Sequence, residues 1–419
     1  MLITMLAAGS RGDTQPYIAL GLALQKLGGY SVRIAASETF ESFVKGFGLE
    51  FYPLKGDVSK IASDPQVQKV MQADNPLKII MSFGTTLRSY AFDLQQGFYD
   101  ACQGSDVIVY HPGATIGYFV AQVLNIPSIL ASPFPMTPTQ DYPSLIFYDS
   151  LRLGKTFNRL THRLFEETMW RTSPVKQFWK QEFGSIPPNF GNPFRKQQTE
   201  NYPTIVSCSN YVFPEPQDWP QHVHNTGYWF LDEGADWRPS DELQNFLEAG
   251  PPPIYVGFGS LGNPDKAAYT TELVIEALRR SGQRGILATG WSGMTKLDTI
   301  PENILMIDSA PHAWLFPRMS AVVHHGGAGT TAAGLRAGIP SIVIPHANDQ
   351  FAWGRRVHEL GVSSEPIPKK ELTAEKLSVA ISDVLTEDIK RSARVLGKKI
   401  QSENGAEIAA KIIINCVEK

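Results

Sequence analysis

Short apolar runs alternate along most of the chain with segments whose apolar residues recur at helical spacing, and glycine or polar residues mark each change of period. Residues 2–8 form one such run, closed by Gly9, and over 16–27 the apolar positions return every three or four residues, with Pro16 suited to a first helical turn. The pattern predicts strand, loop, helix. Runs at 31–36, 49–54, 106–110 and 128–131 read as further strands, with helices from Thr39 and over 114–124, an alternation that implies a parallel sheet. Between 133 and 203 the alternation gives way to FYDSLRLGKTFNRLTHRLFEETMWRTSPVKQFWKQEF, a helical excursion, before a strand at 204–209. The Pro-, Asp-, Gly- and Trp-rich stretch 221–252 reads as a linker. From residue 253 a second series begins, with IYVGFGS, RGILATG, NILMIDSA, AVVHH and SIVIP as strands and helices over 266–281, from Thr330, over 349–360 and beyond 373. The amphipathic end is expected to pack back on the first half. The expected organisation is therefore an N-terminal α/β domain over 1–220, a linker over 221–252, a C-terminal α/β domain over 253–400 and a returning helix over 401–419, with ligand in a cleft at the carboxyl ends of both sheets.

Composition narrows the function classes. A length of 419 residues suits two large domains, and 42% hydrophobic with 19% charged residues is the balance of a folded globular protein. A net charge of −3 gives no pull toward nucleic acid, which is not expected as a partner. Cys102, Cys208 and Cys416 have no metal-ligand spacing and read as reduced thiols of a cytoplasmic protein. The start, MLITMLAAGSRGD, has no basic leader, and its apolar run of about eight residues is too short for a span, so it reads as a buried strand.

The segment HHGGAGTT carries the most chemistry. Gly326, Gly327, Ala328 and Gly329 between a strand end and a helix opening at Thr330 let backbone N–H groups approach a ligand, and the helix N-terminus favours negative charge. Close strand and helix packing is the alternative reading. Adjacent strand residues point to opposite faces, so His324 and His325 do not share a metal; His324 is expected to face the ligand and His325 the interior. In the next loop, PHANDQFAWG, Asp349 and Gln350 suit sugar hydroxyls, with a plain helix cap as the alternative. Ser260 and Thr330 add hydroxyl donors for a diphosphate, and together these residues point to a nucleotide-sugar.

GSRGDTQP, PHAWLFPRMSAVVHHGGAGTTAAGLRAGIPSIVIPHANDQFAWG and DWPQHVHNTGYWFLD together resemble the sterol 3-beta-glucosyltransferases and their bacterial relatives among the inverting UDP-glycosyltransferases, over nearly the whole chain. The resemblance implies a GT-B fold of two facing Rossmann-like domains. It also implies a hexosyltransferase, with UDP-glucose as co-substrate in the C-terminal domain and a lipophilic acceptor, such as a sterol or terpenoid, in the N-terminal one. Inversion without metal or cofactor follows from the same likeness. Carried over, His324 contacts the diphosphate, residues 327–330 line it, Asp349 and Gln350 hold the sugar, and Ala310 binds the base through its backbone. Plant members of the wider family have a Trp before the position of Ala310 to stack on uracil and a Glu at the position of Ala332 for the ribose. Here Ser309 and Ala332 stand there, and Trp291 is the candidate for stacking.

Transfer to an alcohol needs a base at the acceptor hydroxyl and compensation for the departing diphosphate. The chain contains no Asp-x-Asp to hold a metal, which assigns that compensation to His324 and the helix N-terminus. Asp13 is the one acidic group in the first strand-end loop and the natural base, a helix cap being the alternative. Plant members have a His there, oriented by an Asp from a later strand; here that strand, DVIVYHPG, ends in Tyr110 and His111, so His111 is the candidate partner or relay. Ser10, Arg11, Phe134 and Trp170 are the acceptor-side candidates. The excursion carries seven basic and four acidic residues over 148–182, interleaved with Phe157, Phe165, Trp170 and Phe178, which suggests a lipophilic pocket with peripheral membrane contact. Competing readings are a nicotinamide or flavin oxidoreductase, disfavoured because Gly9 and Gly12 do not complete G-x-G-x-x-G, a nucleotide-sugar epimerase, and a non-catalytic sugar-nucleotide-binding protein.

Overall fold

The computed structural model describes residues 1–55, 88–149, 153–186, 190–199, 202–232, 237–259, 267–289, 294–297, 299–346 and 349–418. It divides into two units, Met1–Leu231 with Glu403–Lys419, and Asp232–Ser402.

In the first unit the strands are β1 (Leu2–Leu6), β2 (Ser31–Ser37), β3 (Glu50–Leu54), β4 (Val107–Tyr110), β5 (Ser128–Ser132), β6 (Thr204–Val206) and β7 (Val223–Asn225). They form one parallel sheet in the order β3-β2-β1-β4-β5-β6-β7. Its strands are apolar without alternation because both faces are covered. Ile3 and Met5 pack in one core with Leu20 and Leu24 of helix Arg11–Gly28, while Leu6 and Tyr110 pack in another with Phe98, Phe119 and Phe178. The last helix, Gly405–Val417, lies on the first: Ala409, Ala410 and Ile413 join the core of Leu20 and Leu24, and Lys26 Nζ meets Glu407 Oε1 at 2.7 Å.

Two local readings change. Helix Arg11–Gly28 starts before Pro16, because Ser10 caps it and Asp13 reaches back to Ser10, so Pro16 lies inside the helix and removes only its own N–H from the ladder. The stretch 221–252 is not a bare linker. Val223 pairs with Thr204 to add β7, and Ser240 Oγ accepts from Leu243 N at 3.2 Å to start helix Asp241–Glu248.

In the second unit β8 (Ile254–Gly257), β9 (Gly285–Ala288), β10 (Ile304–Ile307), β11 (Ala321–His324) and β12 (Ser341–Val343) form a parallel sheet in the order β10-β9-β8-β11-β12. β8 and β11 are central, and His324 is in register with Gly257 on one side and Val343 on the other.

Candidate active site

In the second unit the loop after β11 runs directly into helix Ala328–Ala337, with Gly327 as its N-cap. Gly326 has φ +90°, and a Cβ there would meet Val343 Cγ1 at 2.7 Å and Gln350 O at 3.0 Å, so the tight turn requires glycine. The N–H and hydroxyl of Thr331 both return to Gly327 O at 2.9 Å. The amides of Ala328, Gly329 and Thr330 therefore form the first turn, which has no carbonyl four residues back to receive them.

The two histidines exchange their expected faces. His324 has no exposed surface, and its Nδ1 accepts from Gly326 N at 3.1 Å. Burial, reinforced by His325 and His312, pulls it down to about 3. Its ring shares a face with Val322 and Tyr255 and holds the turn from within. His325 is the partly exposed one. A Cβ on Gly327 would lie 2.5 Å from its Nε2, and one on Gly259 3.1 Å from its Cε1, which puts the imidazole between the helix start and the loop after β8. Burial pulls His325 down to about 4, so at neutral pH it is an uncharged imidazole with one N–H to give.

Asp349 stands at the N-cap position of helix Gln350–Glu359 without a side-chain capping bond and is partly exposed, with Oδ2 accepting from Trp353 Nε1 at 2.9 Å. Gln350 is only 5% exposed, and its Oε1 accepts from His346 N at 2.8 Å. Its carboxamide oxygen thus holds the loop that precedes the helix. Ala310 stands half-buried before helix His312–Leu315, where His312 stacks on Phe316 with centroids 4.2 Å apart. Ser260 and Trp291 lie outside the described residues.

In the first unit Leu6 is in register with Tyr110, so the loops leaving β1 and β4 are neighbours and bring Asp13 to His111. Asp13 Oδ2 accepts from Ser10 N at 2.7 Å and from Ser10 Oγ at 3.1 Å. Gly9, at φ +139°, leaves the space this carboxylate needs, since a Cβ there would overlap Asp13 Oδ2. Asp13 Oδ1 lies 3.7 Å from His111 Nε2, with 31% of the Asp13 side chain exposed. Burial raises the Asp13 pKa, against the lowering effect of the Ser10 hydrogen bonds. Ser10 thus holds one oxygen of the carboxylate and leaves the other on the His111 side.

The acceptor-side candidates are less concentrated. Ser10 is occupied with Asp13, and the Arg11 guanidinium sits 4.4 Å from the centre of the Phe43 ring. Phe134 is half-buried after β5, its carbonyl accepting from Ser132 Oγ at 2.6 Å. Trp170 stacks with Phe190 at 5.1 Å and Phe119 at 5.6 Å, while Phe165 and Phe178 are buried. Most of the excursion's described aromatics are therefore buried or half-buried; the large apolar residues it turns outward are Leu153, Leu160, Leu164, Phe183 and Ile186.

Residues 3–143 match the model of the glycosyltransferase family 28 N-terminal domain, and residues 274–418 that of the erythromycin biosynthesis protein CIII-like C-terminal domain. The chain is 36% identical over 425 residues to a sterol 3-beta-glucosyltransferase of Arabidopsis thaliana, a match covering 98% of this chain and 65% of the plant protein. It is 36% identical over 429 residues to the sterol 3-beta-glucosyltransferase of Yarrowia lipolytica, covering 99% of this chain and 28% of the yeast protein. Over nearly its whole length the chain is similar to sterol 3-beta-glucosyltransferases. The chain spans 28% of the length of the yeast relative and 65% of that of the plant one. Among solved structures it resembles the glycotransferase of kitacinnamycin, with TM-score 0.73 and 18% identity over 99% of both chains. It also resembles glycosyltransferase VinC in complex with dTDP, with TM-score 0.69 and 15% identity over the whole of both chains. The fold is GT-B. Among the described residues no helix is long and apolar enough to cross a membrane.

Proposed function

We propose that this glycosyltransferase moves glucose from UDP-glucose onto a hydroxyl of a lipophilic acceptor of the sterol or terpenoid class, in one metal-independent displacement with inversion. The observation that carries the chemistry is the Asp13 carboxylate, pinned through Oδ2 by Ser10 while Oδ1 stays on the side of His111 with its basicity raised by burial. Asp13 Oδ1 takes the acceptor's hydroxyl proton as the hydroxyl oxygen bonds to the anomeric carbon. The bond from that carbon to UDP breaks on the opposite face, and UDP leaves with the electron pair. The His325 N–H and the first-turn amides of helix Ala328–Ala337 meet the charge developing on the diphosphate, with the helix dipole behind them. Asp349, whose Oδ2 is steadied by Trp353, holds the sugar.

A matrix of UDP-glucose, other UDP-sugars and TDP-glucose against sterols, terpenoids, polyphenols and lipid alcohols, read by mass spectrometry, tests the reading. The expected outcome is a hexosylated sterol or terpenoid, with UDP released only when acceptor is present. Interconversion of the nucleotide-sugar without acceptor would instead make the protein an epimerase, and tight UDP binding with no turnover would make it a binding protein.

The same reading places the enzyme in the cytosol with peripheral contact to anionic membrane. Leu153, Leu160 and Leu164 are 63%, 59% and 43% exposed, and Lys155, Arg163, Lys176 and Lys180 are exposed on the same excursion. Burial pushes Glu166 up to about 8, so this carboxyl adds little negative charge there at pH 7. Weak, salt-sensitive cosedimentation with anionic liposomes is expected, reduced in a Leu160→Ser, Leu164→Ser variant. Equal sedimentation with and without liposomes at low salt would remove this element.

A further inference from the structure

We infer that His111 is a positioning residue acting through Asp13: its Nε2–H donates to Asp13 Oδ1 and fixes the direction from which that oxygen receives the acceptor's proton. The inference rests on Asp13 as the base. Its ground is the tautomer of the ring. Gly113 N–H donates to His111 Nδ1 at 3.0 Å. A donor must meet a lone pair, so Nδ1 is unprotonated and the single proton of the neutral ring resides on Nε2. Burial holds His111 down to about 4, which keeps the ring neutral at pH 7.

That Nε2–H is buried and has no hydrogen-bond partner among the described residues. Among the described residues, Asp13 and Tyr17, both on helix Arg11–Gly28, are the titratable side chains set against the ring. The Tyr17 hydroxyl is committed to Ala131 O at 2.6 Å, and its ring centroid is 6.3 Å from that of His111. Asp13 Oδ1 lies 3.7 Å from Nε2 and is the acceptor assigned to it. Shortening this separation by about 0.8 Å, within reach of a small side-chain rotation, completes the hydrogen bond.

The consequence for the reaction is specific. With Nδ1 occupied and Nε2 protonated, His111 cannot take the acceptor's proton. Ser10 anchors Oδ2 and His111 anchors Oδ1 on one side, which leaves one lone pair of Oδ1 for the incoming hydroxyl. The transferred proton rests on Asp13 and leaves to solvent, and His111 keeps its own.

Two variants separate positioning from packing. His111→Phe keeps a ring but removes the N–H, whereas His111→Gln restores an amide donor near the Nε2 position; both remove the Nδ1 that accepts from Gly113. The Phe variant is expected to lower kcat about 10- to 100-fold with donor and acceptor KM nearly unchanged. It is also expected to move the acid limb of kcat/KM to higher pH by about one unit, because a donor to the Asp13 carboxylate is lost. The Gln variant should recover most of both. Equal losses in Phe and Gln, or an unmoved acid limb in Phe, would overturn the inference. Nitrogen-15 shifts of His111 in the wild-type protein give a readout independent of variant folding: protonation at Nε2 is expected, and protonation at Nδ1 would overturn it. If Asp13→Asn kept its rate, the assignment of Asp13 itself would fail; a dead Asn variant with an unmoved limb in Phe would remove only the role of His111.

Discussion

Replacing Asp13 with Asn is expected to leave a folded protein that binds UDP normally and turns over about 10²- to 10⁴-fold more slowly. Asn keeps a carbonyl oxygen able to accept from the Ser10 N–H and hydroxyl, which now meet Asp13 Oδ2 at 2.7 and 3.1 Å. What it cannot supply is a basic oxygen in the place of Oδ1; there it presents an amide donor to the His111 Nε2 side. A capping role alone gives the contrary pattern, a stability loss of about 0.5–2 kcal/mol for Ala and little rate loss for Asn. The pH profile adds a sign. A base works only when ionised, so wild-type kcat/KM is present above the raised Asp13 pKa and is lost as pH falls through it. Melting temperature, UDP affinity and initial rate across pH measure all of this, and near-normal rates in a well-folded Asn variant would sink the assignment.

The second large effect belongs to His325. His325→Ala is expected to lower kcat/KM for the donor about 10- to 100-fold and to weaken UDP in parallel, through loss of a hydrogen bond to a charged group worth about 1.5–3 kcal/mol. His324→Ala should act differently. It strips the acceptor from Gly326 N–H in a fully buried site, so it is expected to cost about 1–3 kcal/mol of stability while the folded fraction keeps its UDP affinity. Calorimetric UDP titration of both variants beside their melting temperatures checks the pair. Normal UDP binding by His325→Ala with weakened binding by His324→Ala would return the diphosphate contact to His324.

The parallel sheets were legible because their strands are continuous apolar runs closed by glycine or polar loops, as in β1, β4 and β11. β7 was not, since VHN is too short to show a period and sits among prolines and tryptophans, and only its pairing with Thr204 makes it a strand. Pro16 drew the start of the first helix toward itself because φ at a proline suits a helix start, whereas Ser10 and Asp13 set it through a reciprocal cap that needs both residues in view. The histidine pair shows a sharper limit. Strand parity says that His324 and His325 diverge, but in a sheet covered on both faces neither direction is polar, so the sequence has no sign for which one turns inward. The neighbourhood of Tyr255 and Val322 decides it. Gln350 is similar: a glutamine at a helix start looks free until its oxygen is found on His346 N. What carried Asp13 to His111 was the order of the strands, β1 beside β4, which no local pattern encodes.

The most direct measurement is the anomeric configuration of the product formed from α-linked UDP-glucose, read by NMR on the purified glucoside. A single displacement with Asp13 as base requires the β-glucoside. An α-glucoside would contradict the account at its centre, because retention needs either a second displacement or departure and attack on the same face, and neither follows from a base placed to accept the proton of the attacking hydroxyl.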